Sequence, residues 1–238
     1  MKPGVSAIAQ EYYIAVLEMH SFPDTMQQGV ADQPQFLRVH QTFSTLQALC
    51  EPDPAPSGFH LTRLLAWCLH PRTAPSRSVA PVRCTACAEH IVLSMPVTQA
   101  QIFWFLSVIA YAWCLLAELG LFLRGGVTTG RLTHTPALAC GPGLTRASAL
   151  AQAQANTPRV VIDAALIAAW PPPVRTLLRQ DADGMYYLDL FRLPMFLQRR
   201  TRIHQHIQGG CQAAQQDGWD RHHWLATHME RSAVNQQP

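Results

Sequence analysis

The chain has 238 residues, 48% of them hydrophobic and 14% charged. It is long enough for one large domain or two small ones and apolar enough to bury a core, which excludes a disordered chain. Its 18 Lys and Arg against 15 Asp and Glu leave a net charge of +3, too mild for a dedicated nucleic-acid binder with a basic stripe but compatible with one phosphorylated small-molecule substrate. The 18 prolines and 13 glycines argue against a plain helical bundle.

In chain order, Tyr12 to Leu17 is a short β-rich apolar run and predicts a buried strand, ending in Glu18-Met19-His20-Ser21-Phe22 before Pro23. Asp24 to Leu49 predicts one or two helices. Glu51 to Ser57 is a proline-rich loop, Phe59 to Leu69 is apolar but ambiguous, and Arg72 to Pro81 is a second loop. Arg83 to Met95 predicts one strand with Glu89 and His90 in its apolar part. Ile102 to Leu123 is nearly all apolar, with Glu118 and Gly120 inside. Hydropathy admits a membrane span; the preferred alternative is a buried helix stopping near Gly120, then a buried strand from Leu121.

Gly141-Pro142-Gly143 predicts a turn, Leu144 to Asn156 a helix closed by Thr157-Pro158, and Arg159 to Asp163 a buried strand. Ala164 to Gln180 predicts a helical segment interrupted by Pro171-Pro172-Pro173. Asp181 to Gly184 predicts a turn into a strand over Met185 to Phe191. Met195 to Ser232 predicts a helical tail broken at Gly209-Gly210. Alternating strands and helices without internal repeats imply one domain over 1–238, an α/β (α+β) sandwich with a single sheet, a core over about 11–193 and a helical tail over about 195–232. The seven cysteines are odd in number and irregularly spaced, and Met1 to Gln10 lacks the pattern of a signal peptide. These features predict reduced thiols in a cytoplasmic protein.

Five groups of residues are candidates for chemistry. Glu18 and Glu89 are carboxylates at the end of, or within, apolar β-type runs. A lone buried carboxylate costs several kcal/mol unless paired or metal-bound, so the two either hold hard divalent cations through oxygen or sit at strand ends in water. Arg124-Gly-Gly-Val-Thr-Thr-Gly130 is either a close-approach loop whose Arg124 and Arg131 meet phosphate, or a tight turn with solvent-facing arginines; it lacks the P-loop spacing. Cys84-Thr-Ala-Cys87 is a CxxC without the second half of a zinc site. His204, His206, His222, His223 and His228 read as surface residues or caps, with metal binding a secondary alternative. Asp181-Ala-Asp183-Gly184 lacks the later ligands of a calcium loop and reads as a turn.

Several of these segments, in order, resemble the class III nucleotidyl cyclases, specifically the compact bacterial group that includes the pyrimidine cyclases of Pycsar anti-phage defence. Leu123 to Gly130 is similar to that family's "flRGGi..G", Gly141 to Ala147 to its "fGpal..Ay.LE", and Ala155 to Asp163 to its "A.yPRivid". Asp181 to Asp189 resembles its "D.DG.yyvD" hairpin and Trp224-Leu225-Ala226 its C-terminal "WLa.y.N" helix, so the resemblance covers about residues 11 to 230. It also aligns Glu18 with the metal-binding Asp of "iDilGf" and Glu89 with that of "fSDsivis".

The resemblance implies a ferredoxin-like catalytic domain that forms a homodimer with no nucleic-acid or membrane partner. It implies a reaction in which the ribose 3′-hydroxyl of UTP or CTP attacks the α-phosphate, giving a 3′,5′-cyclic monophosphate as an antiviral second messenger, plus pyrophosphate. Two Mg²⁺ or Mn²⁺ ions per site would be held by Glu18, Glu89 and the Met19 carbonyl. His20, Ser21 and Phe22 would cradle phosphates, with Arg124, Thr145 and Arg146 on the substrate side. The chain departs from the family at several of these positions. Glu for Asp adds a methylene at both metal positions, a displacement of on the order of 1 Å that costs about 100-fold in rate when it misplaces the reacting groups. Ser21 replaces a glycine, Ala151 replaces the Glu of "LE", and Thr145 and Ala149 stand where better-known class III enzymes carry an Asn and an Arg. These departures imply the alternative of a pseudo-cyclase, a dimeric nucleotide-binding or scaffold module that no longer turns over.

Overall fold

The computed structural model describes residues 11–19, 33–50, 82–87, 89–97, 101–153, 157–213 and 219–234. The expected loops at Glu51–Ser57 and Arg72–Pro81, the ambiguous Phe59–Leu69 run, and His20, Ser21 and Phe22 lie outside these residues. The described residues form β1 (Glu11–Met19), α1 (Gln33–Cys50), β2 (Arg83–Cys87), β3 (His90–Pro96), α2 (Ile102–Ala117), β4 (Leu123–Arg131), β5 (Thr133–Thr135) and β6 (Leu138–Cys140). These are followed by α3 (Pro142–Gln152), β7 (Val160–Ile162), α4 (Ala164–Ile167), α5 (Pro172–Arg175), β8 (Leu178–Gln180), β9 (Tyr186–Leu188), α6 (Pro194–Ala213) and α7 (Trp219–Val234).

The molecule is mixed α/β, built on a seven-stranded sheet in the order β2-β3-β1-β4-β7-β9-β8, and the expected single sheet is corrected to two, because β5 and β6 pair only with each other as a second, two-stranded sheet. Every pairing in it is antiparallel except β4 with β7. β1 is central because it is covered on both faces. Tyr13, Ala15, Leu17 and Met19 pack with the helical core, while Tyr12, Ile14 and Val16 pack with Leu132 and Ala147. Period-two alternation puts these two sets on opposite faces, and a strand buried on both reads as the continuous apolar run seen in the sequence.

The apolar stretch resolves as the buried alternative. All residues of α2 except Phe103 and Leu115 are buried. A helix apolar all round needs cover all round: α2 contacts β1 and β4 on one side and α6 on another, with α7 packed on α6. The helix stops at Ala117, Gly120 takes a φ of 79° in the turn that follows, and the Trp113 indole N–H donates to the Leu123 carbonyl at 3.0 Å across that turn. Among the described residues no helix is long and apolar enough to cross a membrane.

Four further expectations are corrected. Arg83 to Met95 is not one strand but a hairpin, with Glu89 in the turn between β2 and β3. Arg124 to Gly130 is neither phosphate loop nor turn; it lies inside β4, paired to β1 along its whole length. Ala164 to Gln180 holds two single-turn helices and then β8, because the prolines leave too little chain for a longer helix. The tail does not break at Gly209-Gly210: α6 runs through both, and Gly210 sits where any Cβ would collide with the His222 ring of α7. That glycine lets two helices approach closely.

On the sheet face away from α2, the β5–β6 hairpin folds back and inserts His134, which is 2% exposed. Its Nδ1 lies 2.7 Å from the Ser94 hydroxyl and its Nε2 2.9 Å from the Thr85 hydroxyl, and the Arg83 guanidinium donates to its carbonyl. Burial, and then the charge on Arg83, push the imidazole pKa down from 6.5 to about 4. The folded pKa lies below the unfolded one, so this contribution is full above pH 6.5 and disappears as pH falls towards 4. Discounted for nearby solvent, it amounts to about 2 kcal/mol. Chemical unfolding at pH 7 and pH 4.5 is expected to show that loss in the native chain and little of it in His134→Asn; equal losses in both chains would remove His134 as the cause.

Candidate functional site

The register of β1 decides what surrounds Glu18. Its Cα partners are His90 on β3 and Arg124 on β4, and directly opposed side chains on adjacent strands touch. Glu18 is 6% exposed. Its Oε2 accepts from Arg124 Nε at 2.7 Å and lies 2.6 Å from Arg124 Nη2. Its Oε1 lies 3.6 Å from His90 Nε2 and is buried without a hydrogen-bond partner among the described residues. A two-point guanidinium clamp on one oxygen is a strong, directional pairing.

Glu89 reaches the same end of the sheet by its backbone. Its carbonyl accepts from the Met19 N–H at 2.8 Å, which holds the β2–β3 turn against the end of β1. Its side chain is exposed. Glu18 and Glu89 therefore belong to two segments in direct backbone contact, as a shared site requires, but only one of the two carboxylates is buried.

The other expected site residues are distributed as follows. Arg124 is engaged with Glu18. Arg146, on α3, pairs with Asp163 Oδ2 at 2.7 Å. The same Asp163 oxygen accepts from the Thr128 hydroxyl at 2.6 Å, and Oδ1 caps α4 through the Ala165 N–H at 3.1 Å. Arg146 thus ties α3 to the end of β7. Thr145 is exposed on the first turn of α3. Met19 is 2% exposed, with its side chain in the helical core.

Oε1 of Glu18 offers one hard oxygen, but Arg124 already balances that carboxylate, and no three His, Cys, Asp or Glu come together as a metal-holding group among the described residues. A divalent ion beside a guanidinium-bound carboxylate meets net repulsion from the arginine.

A second polar centre went unrecognised in the sequence. Arg159, 4% exposed, bonds Asp181 and Asp183 in the β8–β9 turn. Asp181 Oδ2 also accepts from the Trp224 indole at 3.0 Å, and His228 stacks on Trp224 with centroids 3.9 Å apart. Burial pushes the Asp181 carboxyl up, but the Ala182 N–H, the Trp224 indole and the Arg159 charge outweigh it and hold it below the usual range. Arg159, followed by the Met185 backbone, does the same for Asp183. The signal available in the sequence was the Asp-x-Asp-Gly turn itself, whose carboxylates proved to be partners for an arginine. No protein-family model matches the chain, and a comparison with curated proteins finds no match.

Proposed function

We propose that this chain is a class III nucleotidyl cyclase-type domain that acts as a dimeric nucleotide-binding or scaffold module rather than an efficient enzyme, with UTP or CTP as the nucleotide class. The observation that carries this reading is the Glu18–Arg124 clamp. It occupies the carboxylate that a cyclase of this type commits to metal, and Glu89 by itself is an exposed turn residue.

The cyclase-type framework draws support from topology. β1, β2, β3 and β4 stand in the order β2-β3-β1-β4, with α1 and α2 as the crossovers. This is the split βαβ arrangement of ferredoxin-like domains. Where the motifs of the resemblance lie within the described residues, they meet defined elements: Arg-Gly-Gly lies on β4 beside β1, Gly-Pro-Gly stands at the start of α3, the Ala155 to Asp163 motif includes β7 (Val160–Ile162), the Asp-rich turn joins β8 and β9, and Trp224 to Ala226 lies on α7.

The Met19–Glu89 hydrogen bond favours a second reading, an active pyrimidine cyclase producing cUMP or cCMP with Mn²⁺ or Mg²⁺. It keeps the two acidic segments together, and the open Oε1 is available. Turnover would require Arg124 to release Glu18.

The deciding experiment incubates purified protein with ATP, GTP, CTP and UTP in the presence of Mn²⁺, and reads products by mass spectrometry and binding by calorimetry. A Glu18→Ala, Glu89→Ala double variant is the blank. Binding of a pyrimidine nucleotide without cyclic product is the expected result. A cyclic product absent from the blank would establish the second reading. Neither binding nor product, from a folded protein, would overturn both.

A further inference from the structure

A cleft opens at the C-terminal end of α2, between α1 and α6. Two cavities, of about 490 and 670 Å³, meet there and share Glu118, Arg202 and Gln205. Each lies within the size range of small-ligand sites. Arg38 of α1 lines the smaller cavity and Arg199 of α6 the larger.

The charges around this cleft do not balance. Arg38 is the only Lys, Arg, Asp or Glu on α1, and α6 carries Arg199, Arg200 and Arg202 with no carboxylate. Among the described residues the one acid lining the cleft is Glu118, at the end of α2. Its Oε2 accepts from Arg199 Nε at 3.1 Å, while its Oε1 lies 3.6 Å from Arg202 Nη1, beyond hydrogen-bonding distance. Arg199 also donates to the Met195 carbonyl at 3.2 Å and lies over the Tyr111 ring, 5.6 Å from its centroid. Arg199 is thus committed to the fold. The Arg202 side chain is 76% exposed, and Arg38 is exposed with no carboxylate partner among the described residues. Three guanidiniums around one carboxylate leave two positive charges in surplus, on two helices that line one cavity. Like charges so placed repel until an anion sits between them.

We propose that this cleft binds a small phosphorylated molecule, its phosphate bridged between Arg38 and Arg202 and its organic body resting on Leu115 and Leu119. A doubly charged phosphate matches the surplus, and the guanidinium fork suits its oxygens. A single carboxylate leaves half of that surplus unmet. Leu115 and Leu119 give the body an apolar floor, and Gln205 supplies a neutral amide to orient it. Thr42 contributes no donor, because its hydroxyl donates to the Arg38 carbonyl at 2.9 Å. His206 borders the cavity beside Gly120, where an added Cβ would stand 3.2 Å from its Nδ1. Arg124 and His90, the groups that face Glu18, do not line the cleft. The proposal therefore does not depend on the nucleotide reading.

The test uses the full chain with EDTA present, so that metal-dependent nucleotide binding does not contribute, and phenyl phosphate as the probe. Calorimetry is expected to show binding that Arg38→Gln and Arg202→Gln each weaken about tenfold, the scale of one hydrogen-bonded charge contact. Both side chains are exposed, so both variants are expected to melt with the parent chain. Benzoate, the same ring on a singly charged carboxylate, is expected to bind more weakly. Phenylglyoxal, which modifies accessible arginines, gives a second readout by peptide mass spectrometry. Phenyl phosphate is expected to protect Arg38 and Arg202 and to leave the exposed Arg175 modified. No binding at millimolar phenyl phosphate, equal affinity for benzoate, undiminished binding by the Arg38→Gln, Arg202→Gln double variant, or protection of neither arginine would each overturn the proposal.

Discussion

Arg159→Ala is expected to destabilise the chain by about 3 kcal/mol, at the lower end of the cost of stripping one partner from a buried charge pair. Arg159 is the buried member of its network, and Asp181 and Asp183 meet on its guanidinium. Asp183 is half exposed and regains water when the arginine goes, so most of the cost comes from Asp181, which remains in contact with the Trp224 indole. Urea unfolding followed by tryptophan fluorescence would measure it, and a loss under about 1 kcal/mol would mean that the network behaves as a surface pair. Replacing all three charges together, Arg159→Met with Asp181→Asn and Asp183→Asn, is expected to recover much of the loss, because no uncompensated charge is left behind. The two carboxyls, held below their ordinary 3.8, add stability that is present above that value and vanishes as pH falls through their folded pKa values. Their window lies below that of His134, which empties between 6.5 and about 4, so an acid titration of stability is expected to descend in two stages.

Gly126→Ala is the second large effect, and it comes from shape. A Cβ at this position would collide with the Ala147 carbonyl and come within 2.6 Å of Leu150 Cβ and 2.8 Å of the Ala151 N–H. Two of these neighbours are α3 backbone, which cannot rotate away as a side chain can. The expected cost is about 3 kcal/mol, the upper part of the range for overpacking a well-filled interior, as α3 is lifted off β1 and β4. Gly209→Ala has nothing within 4 Å of the added carbon and serves as the control, expected to be neutral or slightly stabilising in its helix. Similar melting temperatures for the two variants would show that α3 yields without cost.

These positions show why part of the molecule could be read from the sequence and part could not. β1, α2 and β7 were legible because their apolar runs are long and bounded, and burial is what those runs encode. The Arg-Gly-Gly segment misled because glycine pairs suggest turns or phosphate loops, whereas Gly126 is a flat place on a strand where a helix backbone rests. Whether a glycine serves conformation or clearance depends on the element opposite, and that is tertiary information.

The candidate site divides the same way. Glu18 stood out as a carboxylate in apolar surroundings, and burial of such a group demands a partner. Naming the partner required the register that sets Arg124 and His90 across from it. Glu89 looked equivalent in sequence but lies two residues past the last paired residue of β2, in a turn with its side chain exposed. The Gly209-Gly210 pair failed as a helix stop for the reason Gly126 failed as a turn: Gly210 clears the His222 ring.

The layering of α2 between the sheet and α6 has a consequence during synthesis. The most apolar of the described helices leaves the ribosome well before α6, which covers its outer side, and α7, which packs on α6, have been translated. At about 5–20 residues per second, that surface waits several seconds without its lid, longer than a helix needs to form. The nascent chain is thus exposed to aggregation, and to capture by chaperones that bind apolar helices, in the interval before α6 and α7 arrive. A ribosome stall or premature stop beyond Leu193 would strand it in that state. α6 and α7 thus act in the manner of an intramolecular chaperone for the helix beneath them.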